Sequence, residues 1–257
     1  MYYEAFTITN ADVELPMIDT SSTTYLSDVR MVDHDVVLVR KGHPAVEVLS
    51  GNYAINLGME LGGVYVEFTR GFVMVDVEIK GETFRFVSTH LEVSGETDSI
   101  FRLIQYYQML ELLGTIDILA VNQGARPIIM VGDFNSSPED TEGHGLHPVY
   151  GWLPYTPPYM LAIDAGYLDT WLLQSKYDEG YTSGFDEYVS DPEVELFERI
   201  DFVFFLDPLD DLTIDKVKCY LVGDDVSDMV PNPNDPGEYL WPSDHAGVVA
   251  KVDLLTP

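Results

Sequence analysis

Cysteine is nearly absent: Cys219 is the only one in 257 residues. A single thiol excludes an intrachain disulfide and any zinc site built on cysteines. In KVKCYLV it reads as a small apolar side chain of a strand. Positive charge is scarce as well. Lys and Arg number 13 against 44 Asp and Glu, a formal net charge of −31. A field of that sign repels other polyanions at low ionic strength. High salt, bound divalent cations, or a substrate other than a long nucleic acid would each accommodate it, and salt adaptation is the favoured reading. Long apolar runs are missing too. No stretch reaches the roughly 18 apolar residues of a membrane-spanning helix. The start, MYYEAFTITNADVELP, lacks the basic segment and apolar run of a secretory signal. The chain is expected to be soluble, its compartment open, with export from a longer precursor as one alternative.

What is present is ordinary globular composition. Hydrophobic residues make up 46% and charged residues 22%. That suffices for one large α/β domain with its own core, or two small ones. Neither an internal repeat nor a low-complexity linker is visible, so residues 1–257 are expected to form one domain.

Short apolar runs alternate with turn-rich polar loops. Val36 to Val39 reads as a buried strand. From Gly71 to Ile79 the valines at 73, 75 and 77 alternate with Met74, Asp76 and Glu78, the period of a strand. Lys80-Gly81-Glu82 is a tight turn, and the chain is predicted to return over Phe84 to His90 as a hairpin. Asp98 caps a predicted helix from about Ser99 to Val121, with Leu103, Tyr107 and Leu110 on its apolar stripe. Gly114 argues against its continuity. The runs at Pro127–Gly132, Ile200–Leu206 and Gly247–Val252 read as strands covered on both faces, and Val217–Val222 as another. Strands and one long helix in mixed order imply an α/β or α+β layered domain.

Four segments place polar residues where these strands end: STHLE at 88–92, GDFNS at 132–136, RIDF at 199–202 and SDHAG at 243–247. Singly, each has a bland reading. A strand-end histidine is more often structural than catalytic, and Asp-x-Asn is a common Asx-turn. Asp201 between Ile200 and Phe202 is harder to dismiss, because a carboxylate in an apolar strand must be paired or liganded. The same holds for Asp244-His245 before AGVVA. Together they supply oxygen ligands for a hard cation, an imidazole to move a proton, a carboxylate to orient it, and an amide donor. His144 and His147 form an H-x-x-H set in TEGHGLHPVY; such a pair can share a metal on a helix, but in a glycine-rich loop it reads as an ordinary turn.

The ordered series STHLE, GDFNSSP, RIDFVFF and SDHAGVVA resembles the endonuclease/exonuclease/phosphatase superfamily, from about Asp33 to Val252. LWPSDHAGVVA and DHDVVLVRKG resemble a bacterial branch of it. The resemblance implies a DNase I-like fold, a four-layer α/β sandwich of two mixed sheets flanked by helices. It implies a phosphodiesterase- or nuclease-like hydrolase dependent on Mg2+ or Mn2+, attacking phosphorus in line with water. Asp133 would position or deprotonate that water and Asn135 would contact the phosphate. His245, oriented by Asp201, would stabilise the phosphoryl oxygens or shuttle a proton. His90 would contact the scissile phosphate from the other side, with Arg70 as a further basic contact. Asp133 and Asp244 would lie at the metal. The partner implied is a phosphoester, nucleic acid among the candidates, although the charge weakens that case.

The sequence also departs from the pattern. A first strand carrying an asparagine, and a later strand ending in a metal-binding glutamate, find no counterpart. The expectation is a domain lacking those N-terminal strands, in which Asp33, Asp35 or Glu4 could substitute as a ligand. The alternative function is a catalytically impaired or purely binding module of the same fold.

Overall fold

The computed structural model describes residues 2–19, 24–61, 64–95, 100–175, 178–235 and 237–255. Two 17-residue strands come first, β1 (Tyr3–Asp19) and β2 (Thr24–Arg40), paired antiparallel along their length. They are followed by β3 (Ala45–Asn52), β4 (Gly71–Ile79) and β5 (Glu82–His90). Helix α1 (Ile100–Gln123) leads to β6 (Ile128–Asp133), and helix α2 (Pro158–Asp164) to the two-residue β7 (Leu168–Asp169). The chain continues through β8 (Asp201–Leu206), β9 (Thr213–Val222) and β10 (Gly247–Leu255). The expected helix cap, Asp98, lies outside the described residues.

Six of these strands form one mixed sheet in the order β7-β8-β6-β5-β4-β3. The β4–β5 hairpin turns on Lys80 and Gly81, both at positive φ (56° and 93°), the backbone of a turn whose twist matches its strands. The β5–β6 pair is parallel, so the chain must cross over, and α1 is that crossover.

The helices cover one face. Met74, Val87, Met130 and Phe204 of the sheet pack there with Met109, Leu112 and Ile116 of α1 and with Tyr159 and Ala162 of α2. Burying a side chain of this size contributes about 1.5–3 kcal/mol. The helix runs unbroken through Gly114; the packing of both flanking turns outweighs the ~1 kcal/mol propensity penalty of glycine. Its buried stripe differs from the expected one. Leu103 is buried but Leu110 is 39% exposed, and the stripe passes through Gln105, Gln108, Met109, Leu112 and Ile116. Apolar residues surround this helix on all sides, Ile118 and Val121 being exposed too, so hydropathy alone did not orient it.

The opposite face is covered in two separate places. Val73, Val75 and Val77 pack against Phe6, Ile8, Val37 and Val39 of the β1–β2 pair. The β9–β10 pair closes over β8 and the helical turn 170–173 that follows β7, where Trp171, Val217 and the buried Cys219 cluster. Beside β10 lies a groove of about 810 Å3, lined by Phe84, Phe86, Ile129, Val203 and Phe205 on the sheet and by β10 itself. This corrects several expectations. Val36 and Leu38 are exposed, so the β2 run is buried on alternate residues only. Ile129 and Val203 are half-buried, and β10 is half-exposed rather than enclosed. Conversely, β4 is buried on both faces: Asp76 sits inside, gripped by Arg85 Nε and Nη2 at 2.8 and 3.0 Å and by Arg126 at 3.3 Å. The segment with His144 is a strand, Gly143–His147, in a short hairpin, and His147 Nδ1 accepts from the Val149 and Tyr150 amides.

Candidate active site

Strand register builds the site. Asn52 lies opposite Gly71, Gly71 opposite His90, His90 opposite Asp133, and Asp133 opposite Asp201. Five strands therefore end in one row of residues, with Arg70 immediately before it. Gly132 makes the tight approach of β5 and β6 possible. It adopts φ +145°, and a Cβ there would overlap the Thr89 carbonyl oxygen. His245 reaches the row from the loop before β10. That loop is held by a bridge between Ser183 and His245 and by the Ala246 amide donating to Thr182 O.

Asp133 is the centre of the arrangement. Its Oδ1 accepts from the Asn135 amide at 2.8 Å, and its Oδ2 from Asn135 Nδ2 at 3.2 Å. Asn135 has φ +48°, a left-handed turn that asparagine tolerates, and also donates to Leu91 O at 3.1 Å. Its side chain thus ties Asp133 to the residue that follows β5. His90 Nε2 lies 3.3 Å from Asp133 Oδ2, and His245 Nδ1 lies 4.0 Å from it. Burial, and then the charge of Asp201, push the Asp133 carboxyl up to about 7.

The two histidines differ in state. His245 Nδ1 lies 2.9 Å from Asp201 Oδ2. That hydrogen bond raises the imidazole to about 9 against the opposing effect of burial, so it is protonated at neutral pH and donates to Asp201. His90 is the reverse: burial, and then the Arg70 cation, lower it to about 4. Arg70 Nη1 lies 3.0 Å from His90 Nδ1. Guanidinium can only donate, so Nδ1 is the acceptor and Nε2 carries the proton that faces Asp133.

Arg70 also faces Asp33 at 3.5 Å and the buried Glu92 at 3.6 Å. Asp33 comes from β2, and beside it is Asp35, a buried carboxyl accepting from Asn10 Nδ2 at 2.8 Å. Asn10 falls at a register shift in β1, where the bulge turns its side chain inward. Burial raises Asp35 to about 7. Glu4 lies in β1 opposite Val39. Asp244 is exposed and accepts from Ser243 Oγ.

Of the expected site residues, His90, Asp133, Asn135, Asp201 and His245 come together, with Arg70 behind His90. Asp133, Asp201 and His245 offer ligand atoms within 4.8 Å of one another, the one such group among the described residues. Asp244 is not in it. Sequence reasoning missed Gln105 and Gln108. Gln105 Nε2 donates to Glu92 O, Phe134 O and Asn135 O at 3.0, 3.2 and 2.5 Å, and Gln108 Oε1 accepts from the Glu92 amide at 2.8 Å. They join the loops after β5 and β6 to α1. Two glutamines inside the buried stripe of a helix were the available signal.

The sequence pattern of the Endonuclease/Exonuclease/phosphatase family matches residues 60–245. No curated protein sequence matches. Solved structures share the fold. Truncated TDP2 of Caenorhabditis elegans is 16% identical, with a TM-score of 0.51 over 97% of this chain and 75% of its own. The mannosyl-6-phosphatase of Bacteroides thetaiotaomicron is 16% identical, with a TM-score of 0.56 over 99% and 77%. The human Nocturnin catalytic domain, solved with a bound sulfate anion, is 15% identical, with a TM-score of 0.53 over 100% and 73%.

Proposed function

The chain belongs to the Endonuclease/Exonuclease/phosphatase family, and from that premise we propose that it hydrolyses a phosphoester with the aid of a divalent cation, Mg2+ or Mn2+. The observation that carries this reading is the packing of Asp133, Asp201 and His245 into one group at the row of strand ends. The donors fit a hard cation. Asp133 is a half-buried carboxylate whose ion-pair partners among the described residues are two histidines, one of them neutral, and its ionisation is opposed by Asp201. Carboxylate oxygens are the ligands such ions prefer. Asp133 and Asp201 would hold the ion, with the exposed Asp244 able to reach it through water. Bound there, such a cation would supply positive charge to offset that on the phosphoryl and leaving oxygens.

The side chains do the rest. Asp133, ionised, accepts a proton from the attacking water. Asn135 grips both of its oxygens, and the Nε2 proton of His90 sets its angle, so the carboxylate is pre-aimed. His245 is held in one orientation by Asp201 through Nδ1, which leaves the Nε2 proton for a phosphoryl oxygen. Asp201 keeps that imidazole charged. Arg70 locks the tautomer of His90 and adds positive charge behind it.

The test is hydrolysis of bis(p-nitrophenyl) phosphate by the full chain with Mg2+, Mn2+ or EDTA. Metal-dependent turnover that Asp133→Ala and His245→Ala abolish supports the reading. Folded protein without turnover under any metal favours the binding-module alternative.

A further inference from the structure

Resting on that hydrolase reading, we infer that the substrate is a small ester with one phosphoryl group on an uncharged, hydroxyl-bearing remainder, not a polynucleotide. Two loops close around His245. One spans 178–198 and reaches it through Ser183; the other spans 223–246 and carries it. The first holds eight carboxylates and the second six, and neither contains a lysine or an arginine. The loop after β6, 134–142, adds Glu139, Asp140 and Glu142, again with no basic residue.

The arginines nearest the row are already engaged. Arg70 faces His90, Asp33 and Glu92. Arg102 pairs with Asp140 at 3.1 Å. Arg199 is buried on Asp169 at 2.6 Å. Polynucleotide binding draws its affinity from several cationic side chains that displace counterions along the phosphate backbone. Here the row has a single guanidinium, that of Arg70 behind His90, so its positive charge matches one phosphoryl group and not a chain of them. High salt would screen the repulsion of the acidic rim, but it would not create the missing contacts.

The shape of the opening agrees. A depression of about 580 Å3 adjoins Asp201 and His245, bordered by Val222, Gly223, Pro242, Ser243 and Asp228. That volume suits a monomer-sized ligand. A second phosphate entering it would meet the Asp228 carboxylate, whereas a hydroxyl would find the oxygens of Asp228 and Ser243 as acceptors.

The experiment compares kcat/KM for bis(p-nitrophenyl) phosphate and a hexose monophosphate with that for a 20-nucleotide single strand, at low and high salt, with Mg2+ or Mn2+. We expect at least one small ester to exceed the oligonucleotide by 100-fold or more at both salts. Replacing Asp191, Glu193 and Glu195 together by lysine should raise oligonucleotide cleavage at least tenfold and leave small-ester turnover unchanged. Oligonucleotide cleavage equal to or faster than that of both small esters, and weakening with salt, would overturn the inference while leaving the hydrolase reading intact. Cleavage of neither class would overturn the hydrolase reading and this inference with it.

Discussion

Arg70 donates to Nδ1 of His90 at 3.0 Å, and this one contact decides which face of the imidazole carries a proton. His90 thereby becomes a neutral donor toward Asp133, 3.3 Å away, in place of a competing cation. Arg70→Met removes both the hydrogen bond and the neighbouring charge. The His90 titration should move upward from about 4, since Arg70 opposes its protonation, and turnover should fall roughly tenfold or more as the base loses its orientation. A titration followed by NMR of the imidazole, unchanged in the variant, would disprove the coupling.

The second histidine gives a pH prediction. His245 must stay protonated to donate, and Asp201 raises it to about 9. Activity is therefore retained at neutral pH and lost as pH rises through about 9. In Asp201→Asn the alkaline limb should move to lower pH and kcat should drop by roughly 10²–10⁴. A kcat profile whose alkaline limb stays in place would remove Asp201 from this role.

Cation binding should be linked to Asp133. Without metal its carboxyl is raised to about 7, so below that pH a proton competes with the ion. Affinity for Mn2+, measured calorimetrically, should rise by about tenfold per pH unit up to that point and level off above it, with proton release on binding. Asp133→Asn should abolish both the affinity and the pH dependence.

Asp35 bears on stability. Its carboxyl is raised by burial from the ordinary carboxylate range to about 7. The folded state holds the proton more tightly than the unfolded chain, so this group's contribution is full below about 4 and is lost as pH rises to about 7. Asp35→Asn keeps an acceptor for Asn10 and should stabilise the protein by about 1–3 kcal/mol at pH 8 but not at pH 4. Denaturant titrations at the two pH values check this; an equal effect at both would refute it.

Inside β4, Asp76 is matched by Arg85 and Arg126. Arg85→Met leaves a buried carboxylate with a single partner at longer range. The expected loss is about 3–5 kcal/mol in chemical denaturation. Replacing Asp76 as well should recover part of it, because the double variant buries no unpaired charge.

The long helix, the β4–β5 hairpin and the polar residues at strand ends were all legible in the sequence, since period-two runs and turn residues are local signals. The orientation of α1 was not, because apolar residues surround it and the inward side is chosen by tertiary contacts, those of Met109, Leu112 and Ile116 with the sheet and those of Gln105 and Gln108 with the loops. The setting of Asn135 also came only with the third dimension: its side-chain amide donates to Asp133 Oδ2 and to Leu91 O.

By itself the sequence determined the acid excess, the strand-and-helix order and the ordered set of Asp, Asn and His that names the family. Those are properties of residue type and local period. Folding added that Asn52, Gly71, His90, Asp133 and Asp201 share one row, that the histidines differ in protonation, and that the arginines near the row have acidic partners. Each of these depends on the register between strands distant in the chain and on how deeply a charge is buried. Neither is written in any local stretch of residues.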